Sequence, residues 1–317
     1  MKYKKIPPQG KITAYYDFKS SPITFDFVYF LSAAVAYSKQ FALNYIDLVV
    51  VADAWRVLTP REKAYTDTER IWRLWNLIAQ VVQICPHVRN FTIQKSPLMS
   101  INPDCYPANY NPRSNFITPY NVRDVAGFHE GGIDVKCFKS SKMSRNFAGL
   151  TVNDGRNFIT FSPRTAGFDN VRDSDLRNWY EAYKVLSGKG YDIILIPDQD
   201  DVLSERLYTK YPWRAVPEAA MSLDLKLGLY ESCACNIVSS GGNVGPLIFS
   251  GSPFSIVKTV NEGSHVASAK YFAAQGFPVG SQYPWFSDKQ RFTWGGDTAE
   301  EIIACVEMEF ANKGHGT

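Results

Sequence analysis

The chain has 317 residues, of which 45% are hydrophobic and 21% charged, and its formal net charge at pH 7 is +3. This length can form one large domain or two of ordinary size with the composition of a soluble globular protein, and no run reaches the roughly 18 apolar residues of a membrane span. A net charge this small argues against nucleic acid or an anionic membrane as the main partner, and the basic N-terminus lacks the apolar segment of a secretion signal, so we expect a cytoplasmic protein.

The first part of the chain alternates segments with the patterns of strands and helices. Residues 46–52 form a β-branched run, typical of a strand buried on both faces, and apolar residues recur at helical spacing in residues 66–84. Many prolines and asparagines in residues 96–123 predict a long loop. The alternation predicts a mainly parallel sheet. Strands are predicted at residues 11–18, 46–52 and 88–93, and helices at residues 25–43 and 66–84.

A polar stretch at residues 139–157 predicts a linker, after which a second alternating series begins. Ser174 and Asp297 are the predicted N-caps of the first and last helices of this series. The chain is therefore predicted to have an α/β fold with two Rossmann-like domains, residues 1–150 and 151–317, that face a cleft. The strands of the second series are predicted at residues 158–162, 191–197, 236–238 and 253–260, and its helices at residues 174–186, 219–233 and 298–312.

A glycine-rich turn after residues 236–238 is the most informative motif of the chain. Residues 239–248 have the sequence SSGGNVGPLI, in which the proline lies in the first turn of a predicted helix. Backbone N–H groups converge at such a turn, at the positive end of a helix dipole, so the turn suits a phosphate or diphosphate. No lysine follows as in a P-loop, and the turn does not open its domain as a nicotinamide-binding motif does, so both classes are disfavoured. The predicted diphosphate ligands are Ser240, Gly241, Gly242, Asn243, Val244 and Gly245.

Two arginines follow the strand predicted at residues 158–162. Arg164 and Arg172 lie on either side of Gly167, in a loop at the carboxyl end of that strand. Because ligands of parallel sheets bind outside the carboxyl ends of the strands, both guanidinium groups are candidates for a diphosphate clamp. The alternative is that both pair with neighbouring aspartates, among them Asp169, Asp173 and Asp175.

An acidic loop follows the strand predicted at residues 191–197. Asp198 is the candidate for nucleoside binding at this strand end. Asp198 and Asp200 could instead hold Mg²⁺ or Mn²⁺ on a nucleotide diphosphate. A helix-capping loop is favoured, because the glycine turn and the arginines already supply positive charge. No metal site is therefore predicted.

Three residues of the first domain are candidates for a general base. His129 and Glu130 are expected in a glycine-rich loop that faces the cleft, and Asp17 ends the first strand. The alternative for His129 is an ordinary surface or hydrogen-bonded histidine without a catalytic role.

The cysteines are scattered along the sequence and form no Cys-x-x-Cys pair. The histidines do not cluster near them, so we expect buried free thiols in a reducing compartment and no structural zinc site. The six cysteines are Cys85, Cys105, Cys137, Cys233, Cys235 and Cys305.

Residues 158–312 carry a combination of segments that resembles the nucleotide-sugar-dependent glycosyltransferases of the GT-B type. The combination is a strand with the Arg164 loop, the helix LDLKLGLYESC before SSGGNVGP, and a terminal helix after WGGDTAEEI. The sequence lacks the His-x-Arg-Arg motif of the fucosyltransferase-like branch and the Asp-Thr-Gly-x-x-His signature of heptosyltransferases, so the resemblance does not specify the sugar.

The resemblance implies that the C-terminal domain binds a sugar nucleotide, that the N-terminal domain binds the acceptor, and that the last helix crosses back onto the N-terminal domain. The expected activity is sugar transfer from a nucleotide-diphosphate donor to a hydroxyl of a glycan or other carbohydrate, with no cofactor besides the donor. A metal-dependent GT-A transferase, a sugar-nucleotide epimerase and a non-catalytic binding protein are the alternatives.

Overall fold

The chain divides into two compact units, Met1–Phe138 and Lys139–Thr317. The second unit begins before the boundary predicted at residue 150, because the helix Lys142–Thr151 packs on the helix Leu223–Ser232. The prediction of a linker at residues 139–157 is therefore wrong where this helix lies. The structure is a computed structural model, and it describes residues 10–52, 65–95, 101–113, 121–151, 158–166, 169–204 and 210–311.

The first unit contains a parallel sheet. Its described strands are β1 (Ile12–Asp17), β2 (Ile46–Val51), β3 (Val88–Gln94) and β4 (Cys105–Tyr106). They lie in the order β3-β2-β1-β4, and every residue of β1 and β2 is buried, as the β-branched pattern predicts. The described helices are α1 (Phe27–Lys39), α2 (Asp67–Arg73), α3 (Gln80–Gln83), joined to α2 by a π-helical segment (Leu74–Ala79), and α4 (Val122–Glu130).

The start of α4 explains an error in the sequence-based prediction. The side chain of Asn121 accepts hydrogen bonds from the backbone of Asp124, and the Asp124 carboxylate accepts one from the backbone of Asn121. Such a reciprocal pair fixes a helix start. His129 and Glu130 therefore lie in the last turn of a helix, and the prediction of a glycine-rich loop around them is wrong.

The second unit contains a second parallel sheet. Its described strands are β5 (Phe158–Ser162), β6 (Asp192–Leu195), β7 (Cys235–Ser239), β8 (Phe254–Val257) and β9 (Gln290–Phe292). They lie in the order β6-β5-β7-β8-β9. The described helices are α5 (Lys142–Thr151), α6 (Leu176–Gly188), α7 (Gln199–Ser204), α8 (Glu218–Met221), α9 (Leu223–Ser232), α10 (Gly245–Ile248), α11 (Ala269–Ala274) and α12 (Ala299–Ala311), with 3₁₀ turns at Asn170–Arg172 and Gly242–Val244.

The core of the second unit lies between its sheet, α6 and α12. Trp179 of α6 is fully buried and meets the ring of Phe161 edge-on, at a centroid distance of 5.3 Å. Ile302 and Val306 of α12 are fully buried in the same cluster. Large rings in edge-to-face contact contribute more than their buried area alone, so this cluster holds α6 and α12 against the strands.

The thiols follow the prediction from the sequence. All six cysteines are buried and none forms a disulfide. Burial raises the pKa of the Cys233 thiol to about 12, which suppresses the reactive thiolate. Within the described residues, no helix has both the length and the apolar character needed to cross a lipid bilayer.

Gly228 allows α5 and α9 to approach closely, because a Cβ at this position would lie 2.8 Å from the backbone oxygen of Ser144. We expect Gly228→Ala to lower the free energy of unfolding by about 1–3 kcal/mol, since the two helices must separate. Urea unfolding followed by circular dichroism measures the change. The matched control is Gly149→Ala in α5, where a Cβ meets nothing within 4 Å. That change should be neutral or stabilise by up to about 1 kcal/mol, and equal losses in both variants would contradict the packing argument.

Candidate functional site

The carboxyl ends of β5 and β7 lie side by side in the second sheet, with Ser162 paired to Val238. The chain leaves β5 for β6 on one side and leaves β7 for β8 on the other, so its connections diverge between these strands. A crevice at such a switch point is the usual ligand site of an open parallel sheet. Ser174 Oγ lies 2.5 Å from Ser239 Oγ and links the loop after β5 to the end of β7.

The glycine turn after β7 offers fewer backbone donors than the sequence suggests. The N–H of Ser240 donates to Val257 O at 3.2 Å, that of Val244 donates to Gly241 O at 3.3 Å, and that of Gly245 donates to Gly242 O. Three of the predicted N–H groups are thus used within the fold. Of the three predicted residues that remain, Gly241 is partly buried and Gly242 is exposed.

The helix after this turn is also shorter than expected. Pro246 lies in the first turn, as predicted, but α10 has only four residues after the 3₁₀ turn Gly242–Val244. A helix this short supplies little dipole, so any charge attraction at the turn must come from side chains. The side chain of Asn243 lies outside the described part of the structure.

Arg164 reaches the same edge from the loop after β5. It is 6% exposed, its Nη1 contacts a carboxylate oxygen of Asp173, and Nη1 donates to Asp169 O at 3.2 Å. Its backbone N–H donates to Ser174 Oγ at 3.0 Å, and its carbonyl accepts from the N–H of Ser174 at 2.8 Å. Ser174 therefore fixes the loop that carries Arg164 and, through Ser239, ties it to the turn.

Arg172 links the loop after β5 directly to the glycine turn after β7. Its Nη2 donates to Ser240 O at 3.2 Å, and its Nη1 lies 3.7 Å from Asp169 Oδ2. Burial and the neighbouring charge of Arg164 lower the pKa of Arg172. The structure thus brings Arg172 to the glycine turn and Arg164 to the neighbouring strand end, and it gives each an aspartate partner. The predicted pairing with aspartates is confirmed, and the diphosphate clamp stays a prediction.

Asp173 has a strongly perturbed carboxyl group at this edge. Burial raises its pKa to about 6, and the negative charges of Asp198 and Asp201 act in the same direction. Arg164 and Lys258 oppose that rise. A carboxyl with such a pKa changes its charge close to neutral pH.

Lys258 is a site residue that the sequence did not reveal. The predicted strand ran to residue 260, but β8 ends at Val257, and Lys258 adopts a left-handed backbone with φ of 50°. Its ammonium contacts the carbonyl of Asp173 and lies 3.5 Å from Asp297 Oδ1. Strained backbone at a non-glycine residue is frequent at functional sites, and here it turns a lysine back over the strand ends.

Asp297 was predicted to cap the last helix, but Thr298 takes that role by accepting from the N–H of Glu301 at 3.2 Å. Asp297 is instead buried, and its Oδ2 accepts from Trp179 Nε1 and from the N–H of Asp175, each at 3.1 Å. The predicted cap of α6 shifts in the same way, since Asp175 accepts from the N–H of Arg177 and leaves Ser174 in the site.

Lys226 is a second cation that was not predicted from the sequence. It lies in α9, is 4% exposed, and burial lowers the pKa of its ammonium. Within the described residues no hydrogen bond or ion pair of this ammonium is found, and its closest ring contact is Tyr230, 5.9 Å to the centroid. The sequence feature that could have identified Lys226 is that it is a single lysine within the apolar helical segment LDLKLGLY.

Asp198 and its neighbours behave as the favoured capping loop. The Asp198 carboxylate accepts from the N–H of Gln199 at 2.8 Å and from the N–H of Thr165 at 3.3 Å. Asp201 is buried and accepts from the Thr165 hydroxyl. Among the described residues, no group of three or more histidine, cysteine, aspartate or glutamate side chains is placed to hold a metal ion.

Asp17 occupies the carboxyl end of β1 in the first unit. It is 3% exposed, and its carboxylate accepts from Tyr110 Oη at 2.8 Å and from the N–H of Lys19 at 2.9 Å. The ring of Tyr110 stacks on that of Tyr15, with the centroids 4.6 Å apart. The carboxylate is thus held in one orientation at the ligand-binding edge of the first sheet.

His129 and Glu130 lie elsewhere in the first unit. The segment that follows α4 contacts the last residue of α1, where Lys39 Nζ donates to Asp134 O at 2.9 Å. Helix α1 begins after β1 and ends before β2, so its last residue lies at the amino edge of the sheet. The structure therefore places His129 and Glu130 towards the edge opposite Asp17.

The fold is similar to solved glycosyltransferase structures. A glycosyl transferase family 9 structure from Veillonella parvula DSM 2008 has a TM-score of 0.51 and 11% sequence identity, over 96% of this chain and 98% of that chain. The iron-containing dodecameric heptosyltransferase TibC of enterotoxigenic E. coli, in complex with ADP-D-β-D-heptose, has a TM-score of 0.51 and 10% identity, over 99% of this chain and 80% of its own. E. coli ADP-heptose LPS heptosyltransferase II has a TM-score of 0.49 and 13% identity, over 96% of this chain and 99% of its own.

No protein-family model and no curated protein matches the sequence. At 10–11% identity the likeness to the two structures with a TM-score of 0.51 shows the fold alone. It confirms the predicted α/β class with two mainly parallel sheets of the GT-B-like kind.

The raised pKa of Asp173 predicts a dependence of stability on pH. Its pKa is about 6 in the folded chain against an ordinary value of 3.8, so the folded state binds more protons between these values. The free energy of unfolding should therefore fall as pH rises from 4 to 6 and stay lower above 6. Asp173→Asn should remove this pH-dependent contribution, so the fall in the free energy of unfolding between pH 4 and 6, measured by urea unfolding, should be smaller in the variant than in wild type.

Asp192→Asn provides the control for this measurement. Asp192 Oδ2 lies 2.9 Å from Arg214 Nη1 at the start of β6. Its removal should leave stability unchanged or lower it slightly, as for an ordinary exposed ion pair. A fall in stability between pH 4 and 6 that is as steep in Asp173→Asn as in Asp192→Asn would contradict the assigned environment of Asp173.

Proposed function

We propose that this protein is a glycosyltransferase that moves a sugar from a nucleotide-diphosphate donor to a hydroxyl of an acceptor, a glycan or another carbohydrate. The observation that carries the proposal is the meeting of Arg164, Arg172 and the Gly241–Gly242 turn at the switch point between β5 and β7. The likeness of the fold to glycosyltransferases supports it. The buried free thiols support a reducing, cytoplasmic location.

In the proposed reaction the diphosphate is the leaving group, and its negative charge grows as the bond to the sugar breaks. Arg164 and Arg172 offer planar N–H forks to the phosphate oxygens, and Gly241 and Gly242 offer backbone N–H groups. Oriented donors of this kind stabilise a transition state by about 2–4 kcal/mol each. Because these groups belong to the chain itself, we propose that no metal ion is needed.

Asp198 is proposed to contact the nucleoside. It lies at the end of β6, next to β5 in the sheet, so it is beside the switch point rather than in it. A nucleoside that extends from a diphosphate at the β5–β7 edge towards β6 would reach this carboxylate.

Asp17 is the strongest of the three candidates for the base that deprotonates the acceptor. Its carboxylate lies at the carboxyl end of β1 and is oriented by Tyr110, whereas His129 and Glu130 lie towards the amino edge. An oriented carboxylate of this kind can accept the proton of an acceptor hydroxyl as the sugar is transferred.

The donor site is tested by titrating the purified protein with UDP, GDP, ADP and CMP, with and without EDTA, in a calorimeter. We expect one nucleoside diphosphate to bind, EDTA to leave its affinity unchanged, and Arg164→Ala to weaken it by about 10–100-fold, the equivalent of one or two charged hydrogen bonds. The control is Arg214→Ala, which removes another arginine paired to an aspartate, here Asp192 at the start of β6.

Equal affinity in Arg164→Ala and wild type would contradict the clamp, and loss of binding in EDTA would contradict metal independence. Binding of a nucleotide without sugar transfer to any carbohydrate acceptor would favour the non-catalytic alternative.

The base is tested with Asp17→Asn, which we expect to lower kcat by about 10²–10⁴-fold, with little change in the KM of the donor. Tyr110→Phe is the matched control, because it removes the hydrogen bond to Asp17 but leaves the carboxylate. It should lower kcat much less than Asp17→Asn does, because the carboxylate remains and keeps its hydrogen bond from the N–H of Lys19. A large loss in His129→Gln or Glu130→Gln, with an active Asp17→Asn, would contradict the assignment of Asp17.

A further inference from the structure

The guanidinium of Arg164 is already occupied by a carboxylate of the chain itself. Arg164 Nη1 contacts Asp173 Oδ1, and the Arg164 side chain is only 7% exposed while that of Asp173 is 26% exposed. The buried arginine therefore has a counter-ion that is itself partly open to solvent. A phosphate that approaches Arg164 from solvent meets Asp173 first and must compete with it.

The groups that face Asp173 come from three strand ends. Arg164 lies in the loop after β5, Lys258 follows β8, and Asp198 and Asp201 lie in the segment after β6. With Asp173 itself, three carboxylates thus face two cations. Arg172 is a third cation at this edge, and it pairs with Asp169 as Lys258 pairs with Asp297, so the carboxylates still outnumber the cations.

This balance of charge is unfavourable for a diphosphate. Adding two or more negative charges to an edge where carboxylates already outnumber cations costs free energy in a partly desolvated site. The cost falls if one carboxylate becomes neutral as the ligand binds. Asp173 is the best placed to do so, because burial and its two acidic neighbours already raise its pKa to about 6.

The interaction with Arg164 opposes the rise in the pKa of Asp173 as long as the two side chains remain paired. A phosphate that takes over the guanidinium removes this opposing effect and adds a negative charge nearby. Both changes favour the protonated carboxyl group, so its pKa rises further in the complex.

We propose, on the basis of the function proposed above, that Asp173 is the built-in counter-anion of Arg164: the donor diphosphate displaces its carboxylate from the guanidinium, and the carboxylate takes up one proton from solvent as the diphosphate binds. Asp173 thereby sets the pH range in which the donor site accepts its ligand. Anions that bind a guanidinium weakly cannot displace the carboxylate of Asp173 from the buried Arg164, so the donor site does not bind them.

The proposed uptake of a proton predicts that the affinity for the diphosphate decreases as pH rises. Well below pH 6 Asp173 is already protonated, and binding takes up no proton at this residue. Above pH 6 the proton must be supplied on binding, so affinity falls as pH rises until the pKa of the complex is passed. Each unit of difference between the two pKa values corresponds to a tenfold difference in affinity between the low-pH and high-pH limits.

The test is calorimetric titration with inorganic pyrophosphate and with the tightest of UDP, GDP and ADP, from pH 5.5 to 8.5, in buffers of different ionisation enthalpy. The heats give the number of protons taken up on binding. Wild type, Asp173→Asn and the control Asp192→Asn are compared, so that the ionisation of the ligand phosphates cancels between variants. Thermal unfolding first establishes that each variant is folded, and Asp173→Ser serves as a second neutral replacement.

We expect wild type and Asp192→Asn to take up more protons near pH 7 than Asp173→Asn, by as much as one proton per site. At pH 8 Asp173→Asn should bind pyrophosphate and the nucleotide about tenfold more tightly than wild type, and the difference should vanish at pH 5.5. Asp173→Ser should follow the same trend.

Equal proton uptake and equal affinity in wild type and both Asp173 variants would overturn this inference and leave the donor site intact. Weaker binding in the Asp173 variants at every pH would overturn it too, since Asp173 would then support Arg164 rather than compete with the ligand. Absence of binding by every probe in all variants would overturn the inference together with the proposed function.

Discussion

The parallel pairing of β5 with β7 is the constraint on which the candidate site depends. It places Ser174 and Ser239, 65 positions apart in sequence, within 2.5 Å of each other. Through Ser174 the pairing also fixes the backbone of Arg164, and through the end of β7 it fixes Ser240, to which Arg172 donates. No segment of the chain contains this site by itself, because its arginines come from the loop after β5 and its backbone donors from the turn after β7.

The parts of the site that follow from local patterns could be predicted from the sequence. A buried β-branched or apolar run followed by glycines or by arginines marks a strand end, and parallel strands bring such ends to one edge. This reasoning found Arg164, Arg172 and the glycine turn, and it also found the α/β class. It could not find which backbone N–H groups stay available, because Ser240 is used by the neighbouring strand at Val257.

The two residues that were wrongly predicted as helix caps were misassigned for the same physical reason. Ser174 and Asp297 have the right chemistry for helix caps, but Asp175 and Thr298 compete for these roles one residue later. The displaced side chains then point into the site, where Asp297 accepts from Trp179 and Ser174 accepts from Arg164. Local capping preferences cannot decide between adjacent polar residues, because the outcome depends on partners that are distant in sequence.

Buried arginines at the proposed donor site need counter-ions of their own. A buried guanidinium without a partner is costly, so a chain that keeps Arg164 only 7% exposed must supply a carboxylate for it. That carboxylate then becomes a competitor for the ligand. The contact between Arg164 and Asp173 is therefore compatible with the proposed phosphate binding, because the same low exposure that would strengthen a charge-assisted bond to a ligand requires a counter-ion for the arginine before the ligand binds. The raised pKa of Asp173 lowers the cost of the exchange, since a carboxyl group that protonates near neutral pH can leave the arginine without remaining as a buried charge.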